Sequence, residues 1–254
     1  MNEPSGTRNG RERIAPLLAV LVIGIGFAAI GRAQVARGDE ADRLYVNRTD
    51  LLSARRAAQL WTAAVSRDAR DYDAVWKLSR ADYWLGGHAP DRERTAFLED
   101  GVARGRSAGA LEPTRPEGHF WTAANMGALA ESSTKAGLAY RKAIREELET
   151  VSRLDPAFLQ GSADRALGRW YFKVPRLFGG NKKTAEGHLR ASLMYNSHST
   201  ASHFFLAELM LDDGRRDEAR AELQHVLDAP HDADWDPEDQ EFKVKARLLI
   251  ATLR

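Results

Sequence analysis

A chain of 254 residues, 43% hydrophobic and 29% charged, is long enough for one or two domains and too apolar to remain disordered. Its 37 basic residues nearly balance 36 acidic ones, so it lacks the basic field that nucleic-acid binding uses. With no cysteine it forms no disulfide, runs no thiol chemistry, holds no cysteine-bound metal and carries no lipid-modified N-terminal cysteine.

The first 33 residues differ in kind from the rest. Arg8, Arg11 and Arg13 precede an uncharged apolar run of 17 residues, Ile14 to Ile30, and Gly31-Arg32-Ala33 then offers a small-x-small cleavage site. This predicts an export segment over 1–33 and a periplasmic body. Cleavage after Ala33 and retention of residues 14–30 as a single membrane anchor both stay open, because 17 residues is short for a span and long for a signal core. Residues 34–49 are expected as a linker and 50–254 as the folded body. Without the four arginines and two glutamates of the export segment, that body has 33 basic and 34 acidic residues.

Helical periodicity begins with Leu51–Val65 and its partner Tyr72–Leu85. Pro90 opens a helix that runs to about Leu111, and Pro116 opens Glu117–Glu131, whose Ala123, Ala124 and Gly127 would let a neighbouring helix approach closely. Lys135–Leu154 follows and stops at Asp155-Pro156. Ala157–Phe172 ends at Pro175 and the Gly179-Gly180 turn. Lys182–Tyr195, Ser199–Leu211, Arg215–Leu227 and Glu238–Leu253 complete about ten helices. No run alternates long enough to argue for a sheet.

Gly180, Ala185, Leu189 and Leu193 recur as Gly214, Ala219, Leu223 and Leu227, each 34 positions later. That is the tetratricopeptide period, in which each helix pair buries its apolar face only by stacking on the next. The aromatic landmarks Trp76, Phe120, Trp170 and Phe204 are unequally spaced, so the repeats are irregular. His119-Phe120-Trp121 also returns as His203-Phe204-Phe205, which suggests a shared duty for the two histidines, such as bonding a backbone carbonyl. The expected class is all-α, a tetratricopeptide-like α-solenoid that serves as a binding scaffold.

Several motifs fail in context. Gly24-x-Gly26-x-x-Ala29 has the spelling of a dinucleotide loop but lies inside the export segment, without the strand and helix such a loop needs. Ser132-x-x-Lys135 has the spacing of an acylase nucleophile and base, yet its companion motifs are missing, and Ser132 and Ser133 read as helix caps. Asp232-x-Asp234-x-Asp236 begins like a calcium loop but continues with Pro237 where glycine is required. There Asp236 is expected to cap the last helix, with Pro237, Glu238 and Asp239 in its first turn and Trp235 packed on the preceding helix. No histidine pair has zinc-ligand spacing. No enzyme activity, metal or cofactor is expected.

Four blocks carry a family likeness: Ala74-Val75-Trp76-Lys77-Leu78-Ser79-Arg80; Gly118 through Gly127; Arg165-Ala166-Leu167-Gly168-Arg169-Trp170-Tyr171-Phe172-Lys173-Val174-Pro175 with Gly179-Gly180; and Asp234 through Asp239. In this order they resemble the T-component proteins of tripartite ATP-independent periplasmic (TRAP) transporters. The resemblance implies a periplasmic helical protein that partners a TRAP solute-binding protein, a homotrimer, and a cavity for small or lipophilic ligands. A general tetratricopeptide adaptor for cell-envelope assembly is the alternative, and an unrecognised hydrolase a more distant one. Binding is expected on the face of the second helices that carries His119, Trp121, Asn125, Arg165, Arg169 and Tyr171. Aromatic surface there supplies area and polar tips supply orientation. Arg165, Arg169 and Arg176 are the side chains able to face an anionic group.

Overall fold

The computed structural model describes residues 40–253, and every regular element among them is helical. A short helix α1 covers 40–46. It is followed by α2 (Leu51–Arg67), α3 (Tyr72–His88), α4 (Asp91–Leu111), α5 (Pro116–Ser132), α6 (Thr134–Leu154) and α7 (Phe158–Lys173). A single 3₁₀ turn, Arg176–Phe178, leads into α8 (Lys182–Leu193), α9 (Thr200–Asp212), α10 (Arg216–Asp228) and α11 (Asp236–Ala251). The expected export segment, 1–33, lies outside the described residues.

Capping chemistry sets several of the starts. Asp50, Asp71, Asn181 and Ser199 each precede a helix and accept hydrogen bonds from N–H groups of its first turn, which have no partner within the helix. Asp236 does not do this. Trp235 holds the cap position of α11 without a side-chain bond, while Asp236 sits in the first turn and accepts from Gln240 and His231. Glu238 and Asp239 share that turn and complement the helix dipole as expected. Ser132 donates its hydroxyl to the Leu129 carbonyl at 2.8 Å and so closes α5 instead of capping α6, and Ser133, at the cap position of α6, makes no side-chain bond.

Part of the expected linker is structured. Ala41 and Tyr45, one turn apart on α1, are buried against α2 and α3, and the Tyr45 hydroxyl donates to the Arg80 carbonyl at 3.4 Å. A helix this short contains too few residues to show a period, which is why its sequence reads as linker.

The 34-residue repeat corresponds to α8 and α10. Ala185, Leu189, Ala219 and Leu223 are wholly buried in one core with Leu206, Leu209 and Met210 of α9, the helix between them. Burying one such leucine contributes roughly 1.5–3 kcal/mol. Of the small residues expected to admit a neighbouring helix, Ala123 is buried in a core with Ile144 and Leu148 of α6, and α4 and α5 also approach closely. A Cβ added to Gly101 would stand 2.3 Å from Asn125 Oδ1, and one added to Gly105 would stand 2.5 Å from Thr122 Oγ1. Ala124 and Gly127 lie on another stripe of α5 that borders open space.

The solenoid curls until its ends meet. Arg48, in the turn between α1 and α2, pairs with Glu238 of α11 at 2.5 Å and donates to the Asp234 carbonyl at 3.2 Å. His88, at the end of α3, meets Glu241 of α11 at 2.6 Å. The second helix of each pair, α3, α5, α7, α9 and α11, thereby faces a common hollow, joined on one side by α6.

Candidate functional site

The hollow has a volume of about 1580 Å³. Ordinary small-ligand clefts run to roughly 300–1,000 Å³, so this one has room for an elongated molecule or a chain segment. Aromatic rings dominate its wall: Tyr83 from α3, Phe120 and Trp121 from α5, Phe205 from α9, and Trp235 and Phe242 at α11. Tyr83 and Phe120 both pack against Trp121, with centroid distances of 5.7 and 5.0 Å, so the indole is held from two sides. The Trp121 Nε1–H is buried with no hydrogen-bond partner among the described residues, an uncommon and costly state for an indole donor.

The six residues expected to form the site divide by helix face. Trp121, Arg165 and Arg169 line the hollow. Asn125 does not; it is fully buried toward α3 and α4, and its amide donates to the Ser79 carbonyl at 3.1 Å and to the Trp121 carbonyl at 2.8 Å. His119 faces α6, with Nδ1 on Glu147 at 2.6 Å and Nε2 on the Pro113 carbonyl at 3.2 Å. Tyr171 stacks on His188 of α8 at 5.4 Å, in the seam between α7 and α8. A helix turns 100° per residue, so neighbours in a motif land on different faces, and the motif as a block does not show which residues point inward.

His203 repeats the arrangement of His119, with Nδ1 on Glu222 at 2.6 Å and Nε2 on the Ser197 carbonyl at 3.0 Å. The duplicated histidine thus ties a second helix to the turn before it and to the next helix, which is the carbonyl-bonding duty expected of it.

The two inward arginines differ sharply. Arg169 is paired with two carboxylates, Glu131 of α5 at 3.2 Å and Glu208 of α9, and lies 4.5 Å over the Phe205 ring. It braces three inner helices against one another. Arg165 has no carboxylate in ion-pair contact among the described residues; its hydrogen bond there is a long one, 3.4 Å, from Nη1 to the Gln160 carbonyl. Burial pulls its guanidinium down to about 10, only partly opposed by Tyr83 and Asp239. Tyr83 is 40% exposed, and it borders the hollow. The Trp235 ring lies on the hollow's wall, 5.6 Å from the Arg165 guanidinium.

Arg165 is positioned by a feature the periodicity hides. Leu159, Gln160 and Gly161 adopt φ values of 44°, 57° and 72°, three consecutive left-handed residues at the start of α7. Left-handed backbone costs a residue with a side chain about 1–2 kcal/mol. Gln160 is held there from three sides: it accepts from Asn196 Nδ2 at 2.6 Å, donates to Asp232 at 3.2 Å, and presents its carbonyl to Arg165. The expected helix from Ala157 therefore starts in earnest only after this kink. Among the described residues, no cluster of His, Asp or Glu is arranged to hold a metal ion, and no helix is long and apolar enough to cross a membrane.

The family model for regulator of microtubule dynamics protein 1-3 matches residues 38–189, more than half of the chain. The chain belongs to the regulator of microtubule dynamics protein 1-3 family. The family match thus takes in α1 through most of α8, including the kink, Arg165 and Trp121. No curated protein matches the chain. Among solved structures, the chain is similar to TTC0263, a thermophilic TPR protein of Thermus thermophilus, at 22% identity and a TM-score of 0.64, covering 84% of this chain and 99% of that one. It is also similar to MamA protein, at 15% identity and a TM-score of 0.50, covering 85% and 96%. These likenesses show the fold: a tetratricopeptide-like helical repeat scaffold.

Proposed function

We propose that this scaffold binds through its hollow, and that the occupant has a long apolar body and one anionic end seated at Arg165. The observation that carries the reading is a half-buried guanidinium on the wall of an aromatic cavity, with no carboxylate in ion-pair contact among the described residues. A half-buried cation without a carboxylate partner gains most from an anionic ligand group, which forms a charge-assisted hydrogen bond with it. The apolar wall favours a lipophilic body, in agreement with the ligand class that the T-component resemblance implies.

The finer reading is that the body is exported to the periplasm and partners a TRAP solute-binding protein. Its support is the basic and apolar pattern of residues 1–33 and the four T-component-like blocks. One isolation tests both levels. The chain is purified without detergent from the cells that make it and weighed under native conditions. An anionic amphiphile carried in one-to-one ratio supports the hollow as the site, and a co-isolated solute-binding protein supports the partnership. A chain that is always empty and always alone overturns both.

A further inference from the structure

A second surface, at the rim of the hollow, has the chemistry of a bilayer contact, and we propose that this rim docks on an anionic lipid surface. The 3₁₀ turn after α7 pushes two apolar side chains outward: Leu177 is 87% exposed and Phe178 41%. Beside them on α6, Leu138 is 42% exposed. The two segments are joined by Arg141, whose guanidinium lies 5.0 Å over the Phe178 ring while it also donates to the Leu138 carbonyl. Leu138, Arg141 and Phe178 all line the hollow as well, which places the patch at its edge.

Unpaired cations accompany these apolar tips. Arg176 and Lys183 flank the turn in sequence, and Lys135 stands one helical turn ahead of Leu138. All three are exposed and form no ion pair among the described residues. Arg141 and Arg176 belong to the patch itself, the one over the Phe178 ring and the other next to Leu177 in the 3₁₀ turn. Basic residues interleaved with Leu and Phe match the boundary between headgroups and acyl chains of an anionic membrane, where apolar groups insert and cations meet phosphates. Leu177 protrudes with almost all of its surface free and no walls around it, which suits a fluid surface better than the shaped pocket of a protein partner. The proposal stands whatever the hollow holds.

The chain has no cysteine, so Leu177→Cys in the full chain gives one site for an environment-sensitive fluorophore, and the exposure of Leu177 makes loss of folding no concern. Met194→Cys, 86% exposed at the end of α8 and outside the 3₁₀ turn, is the control of equal exposure. Vesicles of phosphatidylcholine with phosphatidylglycerol should shift the label at 177 to the blue, vesicles of phosphatidylcholine alone should not, and high salt should abolish the shift. Arg176→Gln and Lys183→Gln should each weaken the effect by about fivefold, the worth of one basic residue near such a surface. No shift at 177, an equal shift at 194, indifference to the anionic lipid, or a shift that appears only when a protein partner is added would each overturn the proposal.

Discussion

Two buried side chains make the stability of the molecule depend on pH. Asp82 of α3 is 2% exposed and bonds to Arg104 of α4; burial outweighs the arginine and pushes its carboxyl up from 3.8 to about 7. Burial lowers the pKa of His203, but its bonds to Glu222 and the Ser197 carbonyl outweigh that and leave it above 6.5. Between about pH 4 and 7 the folded chain keeps a proton on Asp82 that the unfolded chain has released, so stability falls as pH rises through that window. The contribution of His203 is complete below pH 6.5 and is lost as pH rises through its folded value. Each group adds a slope of at most about 1.4 kcal/mol per pH unit. Urea unfolding across this range should therefore show Asp82→Asn flattening the acidic part of the profile and His203→Gln the part above pH 6.5. Parallel profiles for Asp82→Asn and the wild type would show that burial does not govern this carboxyl.

At the scale of elements, the kink before α7 tests whether strain is stored where the site is built. Gly161 has φ +72°, and an added Cβ would stand 2.6 Å from the Tyr195 ring and 3.2 Å from the Ser192 carbonyl. Gly161→Ala should therefore cost at least about 1–2 kcal/mol of stability. Gly187→Ala, in the exposed interior of α8 with nothing within 4 Å, should gain roughly 0.5–1 kcal/mol. Denaturant midpoints measure both, and equal effects would refute the strain. Most helices were legible from caps, prolines and the 34-residue echo, because these are local signals. The kink was not, since Leu159 and Gln160 favour ordinary helix, and Gln160 is held left-handed by contacts with Asn196 and Asp232, far away in sequence. The short α1 escaped notice because its two anchors, Ala41 and Tyr45, span a single turn.

For the whole molecule, closure decides what the inner face can do. The ends are joined by polar links, Arg48 to Glu238 and His88 to Glu241, and this junction turns a row of second helices into the wall of one cavity. Of the six residues expected at the site, Trp121, Arg165 and Arg169 line the hollow. The sequence pointed to the arginines of α7 without distinguishing Arg169, held by Glu131 and Glu208, from Arg165, whose freedom depends on carboxylates brought near or kept away only by folding. The central claim is that the free arginine seats the anionic end of an apolar ligand, and competition among three probes of equal chain length tests it most directly. Displacement of a bound anilinonaphthalene sulfonate by dodecanoate, dodecanol and dodecyltrimethylammonium is followed in the wild type, Arg165→Met and Arg169→Met. Dodecanoate should bind the wild type most tightly and lose about tenfold to a hundredfold in Arg165→Met, as expected for one charged hydrogen-bonded contact. Dodecanol should be indifferent to that change, and Arg169→Met should retain the preference for dodecanoate. Equal affinity of the wild type for dodecanol and dodecanoate, or an Arg165→Met protein that binds dodecanoate as well as the wild type does, would contradict the account.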